Sequence, residues 1–334
     1  MSIERRPFGP DAMPISVLGF GCGAVGGLMV RGAHADQERA VGRALDAGVN
    51  YFDTAAQYGD GTSETNLGRI LARLRPNDAV VGTKVRVSPE AVSDVGAEIR
   101  NALDASLRRL QREQVDIFHL HNPITETGGG ESLSARRVMH DVVPALQALR
   151  DAGKTRLIGL TAVGETPAVR EVIDSGVFGS AQVVFNMLNP SAAMPAPHGY
   201  PAQDYQRLFE HTRRARAGVV AIRVLAGGAL SGVTERHPIA SPPPSPIGSA
   251  ADYGTDLTRA RRLLPLVSDG FAGSLAEAAV RFAVARAEIG TMLVGMATVE
   301  QFEAALAAVQ KGPLPPEALQ RIAEIAAGFA KENG

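Results

Sequence analysis

No tryptophan occurs in the 334 residues, and aromatic residues make up only 5% of them. A ligand pocket in this chain therefore lacks the largest flat walls and falls to loop aliphatics and small polar groups. Cys22 is the only cysteine, which excludes an internal disulfide framework and suits a reducing compartment. No apolar run approaches the roughly 18 to 20 residues of a membrane span, and Met1-Ser2-Ile3-Glu4-Arg5-Arg6 lacks the apolar core of a secretory signal. The cytoplasm is the expected location. Thirty-four basic residues against 35 acidic ones leave a formal charge of −1, and without a dense basic run neither nucleic acid nor an anionic membrane is an expected partner. Lysine is scarce among the basic residues: Lys84, Lys154, Lys311 and Lys331 are the full set. Lys84 closes an apolar run, where a compact ammonium with a tunable pKa differs chemically from guanidinium.

Length admits one large barrel or two ordinary domains; the patterning chooses between them. Residues 15–20, 49–53, 79–84, 115–121, 156–161, 180–186, 218–224 and 291–296 read as strands. Between them helical spacing recurs, first after Asp36 as a cap and next after Ser63, then near 90–110, 138–152, 166–175, 202–216, 274–287 and 299–310. Eight strand-helix alternations with mostly short joints predict one α/β domain over residues 1–334, a (β/α)8 barrel of the TIM type. An N-terminal β-hairpin precedes it and an extra C-terminal helix, about 316–331, covers it. Two proline-rich stretches, 188–203 and 232–254, interrupt the rhythm, and loops of that length inside a compact domain are often lids or binding loops. The run Gly21-Cys22-Gly23-Ala24-Val25-Gly26 is a literal G-x-G-x-x-G and makes a Rossmann domain the runner-up. That motif needs its helix to begin inside the glycine run, whereas eight residues, Leu28 to Ala35, intervene here. The glycines are read instead as a barrel loop that lets a ligand approach backbone.

Asp53, Tyr58, Lys84 and His121 each fall at or just past the end of a predicted strand. Barrels of this kind collect their catalytic groups from several strand ends on one rim. Alternation puts Tyr51 with Asp53, Gly82 with Lys84 and His119 with His121 on common inward faces. Tyr58 lies in a glycine-rich turn, Ala55-Ala56-Gln57-Tyr58-Gly59-Asp60-Gly61. A phenol with an ordinary pKa of about 10 exchanges protons near neutrality only if its anion is stabilised by roughly 3 to 4 kcal/mol. Lys84 is expected to supply that stabilisation, Asp53 to keep Lys84 charged, and His121 to hydrogen-bond the substrate oxygen. His119 is read as a satisfied core histidine.

Asn50-Tyr51-Phe52-Asp53-Thr54-Ala55 with Tyr58-Gly59, Ser63-Glu64 with Leu67-Gly68, Gly82-Thr83-Lys84, and Val115-Asp116 leading to His121 together resemble the aldo-keto reductase superfamily over essentially the whole chain. The resemblance implies a nicotinamide cofactor bound across the strand ends, with Tyr58 as general acid in reduction and base in oxidation, Asp53 and Lys84 tuning it, and His121 orienting the carbonyl. It places cofactor contacts at Gly21, Cys22, Asp53, Thr161, Gln182, Arg223, Leu225, Gly227, Gly295, Ala297 and Gln301, substrate contacts at Tyr58, His121 and Asn122, and no metal. Where the family usually has Ser-Asn after the fifth strand, the chain has Thr161-Ala162, and Ile222 replaces a stacking aromatic. A basic clamp for a 2′-phosphate is absent at Met296-Ala297-Thr298, with Arg236 as a compensating candidate. The family prior still leans to NADP(H) over NAD(H). The expected activity is an NAD(P)(H)-dependent oxidoreductase acting on an aldehyde, ketone or sugar. An NAD-linked sugar 1-dehydrogenase and a nucleotide-binding sensor without significant turnover are the alternatives. A metal hydrolase barrel is weaker, since His119-x-His121 offers too few ligands and Lys84 would repel a cation.

Overall fold

In the computed structural model, which describes residues 2–89, 94–233 and 235–329, eight parallel strands close a barrel in chain order. They are β1 (Leu18–Gly21), β2 (Tyr51–Asp53), β3 (Val80–Val85), β4 (Val115–Leu120), β5 (Thr155–Thr161), β6 (Ser180–Val184), β7 (Gly218–Ile222) and β8 (Ile289–Gly295). The last strand pairs with the first, Leu293 beside Gly19 and Gly295 beside Gly21. Around them run α1 (His34–Asp46), α2 (Thr62–Leu74), α3 (Val95–Leu110), α4 (Val143–Asp151), α5 (Thr166–Asp174), α6 (Leu208–Arg214), α7 (Leu275–Val284) and α8 (Val299–Gln310), with a further helix at Pro316–Ala327. This is the (β/α)8 barrel that the alternation predicts; residues 90–93 and 330–331 of the expected helices lie outside the described residues. No described helix is long and apolar enough to cross a membrane.

Local chemistry moves several boundaries. The run 15–20 is two strands, because Val17 N–H turns back to Glu4 O (3.0 Å). Met13–Ser16 thereby pairs with Arg5–Phe8 in the hairpin, and Leu18 onward enters the barrel. Asp36 is no cap: α1 begins two residues earlier, and Asp36 sits in its first turn paired with Arg39. Ser63 is no cap either, since Gly61 holds that position in the left-handed region. The Ser63 hydroxyl instead donates to Cys22 O (2.9 Å) and meets Thr54 Oγ1 (2.9 Å), tying α2 to the strand ends. The stretch expected as one helix over 138–152 opens with a π-helical turn, Val138–Val142. Helix α6 is shorter than expected because Gln206 and Arg207 take positive φ.

Inside the barrel, Phe8 and Met13 of the hairpin pack with Ile15, Val80, Ile117, Leu157 and Val220. Bulk and glycine alternate in the layer above. A Cβ on Gly19 would lie 2.8 Å from Tyr51 Cδ1, one on Gly82 would lie 2.7 Å from Tyr51 Oη, and one on Gly159 would lie 2.4 Å from His119 Cδ2. These glycines leave the space that the two rings fill beneath the rim. Gly159→Ala therefore drives a methyl into the imidazole and is expected to cost about 1 to 3 kcal/mol, read as a lower urea midpoint with an unchanged slope. A midpoint equal to that of the parent chain refutes this packing.

Candidate active site

At the carboxyl end of the barrel, β2 and β3 bring Asp53 and Lys84 together. Lys84 Nζ donates to Asp53 Oδ1 (2.5 Å) and Oδ2 (2.6 Å) and to Thr54 O (2.7 Å), and both side chains are buried. Gln182 on β6 reaches across the barrel and donates from Nε2 to both Asp53 oxygens (3.0 and 2.9 Å). Its Oε1 accepts from Thr161 Oγ1 (3.4 Å). Asp53 thus accepts four hydrogen bonds from two donors of different strands, which fixes the ammonium in place.

The turn after β2 swings Tyr58 over this pair. Tyr58 N–H binds Ala55 O (3.1 Å), and Tyr58 O accepts from Ser63 N (3.2 Å), so the buried start of α2 holds the turn. Lys84 Nζ stands 4.8 Å from the centre of the Tyr58 ring. His121, just past β4, meets the same ring edge-on with centroids 6.0 Å apart. The four expected residues form one cluster. His119, one step deeper, hydrogen-bonds Ser180 Oγ through Nε2 (2.9 Å), while its Nδ1 is buried without a partner. It is a core histidine, only half satisfied.

The electrostatics correct one expectation. Burial pushes the Tyr58 phenol above its ordinary value, and the neighbouring Lys84 charge offsets only part of this. Burial is the largest influence; the Asp53 carboxylate adds to the rise, while Lys84 lowers the phenol by its charge and by a hydrogen bond to it. Burial pulls Lys84 down, but Asp53 and Tyr58 together outweigh it and hold the ammonium above the usual lysine value; burial also pushes Asp53 up. His121 is pushed down to about 3 by burial, with the Lys84 and Arg86 charges adding to it. Its imidazole is neutral at any ordinary pH.

Several expected contact residues are committed to the scaffold. Asn122 is buried: its Oδ1 accepts from Val87 N, and its Nδ2 donates to Val87 O and Glu131 O (2.8 to 2.9 Å). It shapes the loop, and both of its N–H donors are spent there. Cys22 is buried, its thiol pushed far up by burial and directed at Phe20 O. Within the glycine run, Gly26 packs on Met296, where a Cβ would come within 2.4 Å of backbone. That close approach is to the protein's own chain; at Gly23 the nearest atom to such a Cβ is Tyr58 Cε2, 4.0 Å away. Leu225 precedes the segment Ala226–Ser231, in which Gly227 and Gly228 have φ of 67° and 109°. Arg236, the compensating candidate, is used structurally, donating to Gly227 O (2.8 Å) and Ser241 O (2.9 Å). Arg223, just past β7, has positive φ and a half-buried guanidinium whose one hydrogen bond among the described residues is a long one to Ser245 O (3.4 Å). Gly295 ends β8. Beyond it, Gln301 Oε1 accepts from Ala297 N–H (2.7 Å), while Thr298 Oγ1 caps α8. Among the described residues no three histidine, cysteine, aspartate or glutamate side chains are grouped to hold a metal ion.

Two features escaped sequence reasoning. Glu64, fully buried in the first turn of α2, accepts from Thr83 Oγ1 (2.5 Å) and Arg109 Nε (2.6 Å), joining the Tyr58 turn to β3 and α3. Glu64 belongs to the Ser63-Glu64 match that carries the resemblance, but its partners lie 19 and 45 positions away, and no local pattern names them. Gln57 Oε1 meets His121 Nδ1 at 3.2 Å, and no local pattern announces this pairing.

Ionisable side chains gathered at the carboxyl ends of a closed eight-stranded parallel barrel mark a (β/α)8 fold rather than a Rossmann domain. The chain belongs to the aldo/keto reductase family, whose model matches residues 17–327, and it is accordingly an oxidoreductase. It is 30% identical to L-galactose dehydrogenase of Arabidopsis thaliana over 309 residues, covering 92% of this chain and 88% of that one. Over 199 residues it is 31% identical to D-threo-aldose 1-dehydrogenase of a Pseudomonas species, covering 51% and 58% of the two chains. The solved holo structure of an aldo-keto reductase from Bacillus halodurans superposes with a TM-score of 0.71 at 22% identity, over 97% of this chain and 96% of that one. That likeness supports the fold.

Proposed function

We propose that this enzyme transfers a hydride between NAD(P)(H) and a small carbonyl or sugar substrate, with Tyr58 exchanging the proton. The observation that carries the reading is the Lys84 ammonium, fixed by Asp53 at 2.5 and 2.6 Å and set 4.8 Å over the Tyr58 ring. In reduction the Tyr58 O–H protonates the carbonyl oxygen; in oxidation the phenolate takes the hydroxyl proton. The ammonium limits the cost of forming that phenolate, and the neutral His121 borders the same space.

A dinucleotide fits the donors on the rim. Arg223 offers a guanidinium with most of its donors unspent, and its Nη1 lies against Gly227, whose φ of 67° favours glycine. Arg223 would hold the phosphates, while Gln182 Oε1 and Thr161 Oγ1, whose donor protons are already spent, would accept from the carboxamide N–H. When bound, the nicotinamide would supply the hydride donor or acceptor.

The adenosine end points to NAD(H), against the lean to NADP(H) drawn from the family. At α8 the Ala297 amide is taken by Gln301 and the cap by Thr298. Glu300 lies in the first turn, and the nearby Arg39 and Arg43 are paired with Asp36, Glu300 and Glu303. A 2′-phosphate would meet an occupied, acidic helix start. NADH is expected to bind at least tenfold tighter than NADPH, followed by nucleotide fluorescence; equal or reversed affinities refute this assignment.

The names of the two curated relatives, both sugar dehydrogenases, favour an aldose oxidised at its anomeric hydroxyl. A panel of aldoses and aldehydes, followed by nucleotide absorbance, tests the reading. Tight nucleotide binding with no turnover on any member would favour the sensor alternative.

A further inference from the structure

Tyr58 and Lys84 come from different elements, the turn after β2 and the strand β3, so the chemistry proposed above depends on how that turn is registered against that strand. The turn's own backbone bonds run from Tyr58 N to Ala55 O (3.1 Å), Gly61 N to Ala56 O (2.8 Å) and Ser63 N to Tyr58 O (3.2 Å). All lie within residues 55–63 and fix the shape of the turn, not its place. Its place is set by the start of α2, which grips the barrel on two sides. Ser63 Oγ donates to Cys22 O and meets Thr54 Oγ1 (both 2.9 Å), beside β1 and β2. Glu64 turns the other way: Oε1 accepts from Thr83 Oγ1 (2.5 Å) and Oε2 from Arg109 Nε (2.6 Å).

Thr83 precedes Lys84 on β3, and strand alternation sends Lys84 into the barrel and Thr83 out toward α2. The bond to Thr83 is the one side-chain hydrogen bond from α2 to β3 among the described residues. It ties the turn that carries the phenol to the strand residue next to the ammonium. Glu64 and Thr83 are fully buried, where a charge-assisted hydrogen bond is strong and costly to leave unmade. Arg109 braces the pair from α3: its Nη2 donates to Ser106 Oγ (3.2 Å), and its stem packs under the turn, where a Cβ on Gly61 would lie 2.5 Å from Arg109 Cδ. We propose that Glu64, acting through Thr83, is a positioning residue that sets Tyr58 against Lys84 and so governs how readily the phenol gives and takes its proton. The kinetic half of this rests on the acid-base reading of Tyr58; the positional half does not.

The groups that face the phenol are Lys84, Asp53 and Cys22, with His121 edge-on to its ring and Arg223 beyond. None of them hydrogen-bonds Glu64 or Thr83 through a side chain among the described residues. Changing the Glu64–Thr83 bond therefore alters where the phenol sits and leaves its titratable neighbours as they are.

The test uses the full chain with ¹³Cζ-labelled tyrosine. Its five tyrosines give five signals, and the Tyr58 signal is the one lost in Tyr58→Phe. Thr83→Val keeps the shape of the side chain and removes the hydroxyl, Thr83→Ser restores it, and Glu64→Gln sets an amide N–H against one of the two donors. The Tyr58 signal should move in Thr83→Val and Glu64→Gln by more than any of the other four, and return in Thr83→Ser. In oxidation of the best sugar of the panel, Thr83→Val should lower kcat about ten- to a hundredfold, with nucleotide Kd and sugar KM within about twofold of the parent. The rising limb of kcat against pH should shift upward, because a phenol set further from the ammonium ionises less readily. A residue that only stabilises the fold would lower the urea midpoint and leave both signal and limb in place. A parent-like Tyr58 signal in Thr83→Val, or one that Thr83→Ser does not restore, overturns the proposal. A moved signal with an unmoved limb overturns its kinetic half. If Tyr58→Phe retains activity, the acid-base reading fails, and the Tyr58 signal still decides the position.

Discussion

Tyr58→Phe is expected to lower kcat at least a thousandfold while leaving the dinucleotide Kd within twofold of the parent value. Loss of a positioned general acid-base group typically removes 10² to 10⁴ in rate, and here no neighbour can take over. His121 is the nearest titratable group on the substrate side, and with its pKa at about 3 it holds no acidic proton at neutral pH. Lys84 is bound to both Asp53 oxygens and to Thr54 O, which engages its three donors. Phenylalanine keeps the ring that packs under the ammonium and against His121, so the remaining three members should hold their places. Single-turnover measurements with preloaded nucleotide separate chemistry from binding. A variant retaining a tenth of parental kcat would mean that the proton travels by another route.

Lys84→Met should have the second-largest effect, on stability as well as on rate. The substitution leaves the Asp53 carboxylate buried with only Gln182 to donate to it. Breaking a buried pair by removing one partner costs about 3 to 5 kcal/mol, because the survivor is an uncompensated charge. Asp53 already titrates high through burial, and without the ammonium it must rise further. A carboxyl with a raised folded-state value binds more protons folded than unfolded between its two pKa values, so stability falls as pH rises through that window. The deficit should therefore be larger at pH 8 than at pH 5 in urea titrations. Pairing the change with Asp53→Asn removes the orphaned charge and should recover most of the stability but none of the activity. A single variant as stable as the parent at pH 8 would show that the pair is not sealed from water.

Much of the cluster on the rim was legible because strand alternation and residue type agree. Asp53, Lys84 and His121 interrupt apolar runs at their ends, and a charged group at the end of a barrel strand has few structural uses. The barrel was legible because eight apolar runs alternate with helical spacing, and no competing pattern has that regularity. The misplaced boundaries had local causes. Asp36 and Ser63 are good capping types, but burial of the α2 start drew Ser63 to Cys22 and Thr54, and α1 began upstream of Asp36. Asn122 next to His121 looked like substrate recognition, yet its amide closes the loop against Val87 and Glu131. A polar side chain near a site reads the same whether it faces ligand or its own backbone.

By itself the amino-acid sequence determined the barrel, the order of its strands and the four side chains at their ends, because these follow from periodicity and from where ionisable groups break it. Only the tertiary structure decided how those groups bear on one another: that burial holds the Tyr58 phenol up against the Lys84 charge, that Gln182 binds Asp53, and that Gln57 meets His121. Periodicity fixes which face a residue takes, whereas pKa and pairing depend on contacts a few ångströms long between residues 31 to 129 positions apart, and those distances are set by barrel closure.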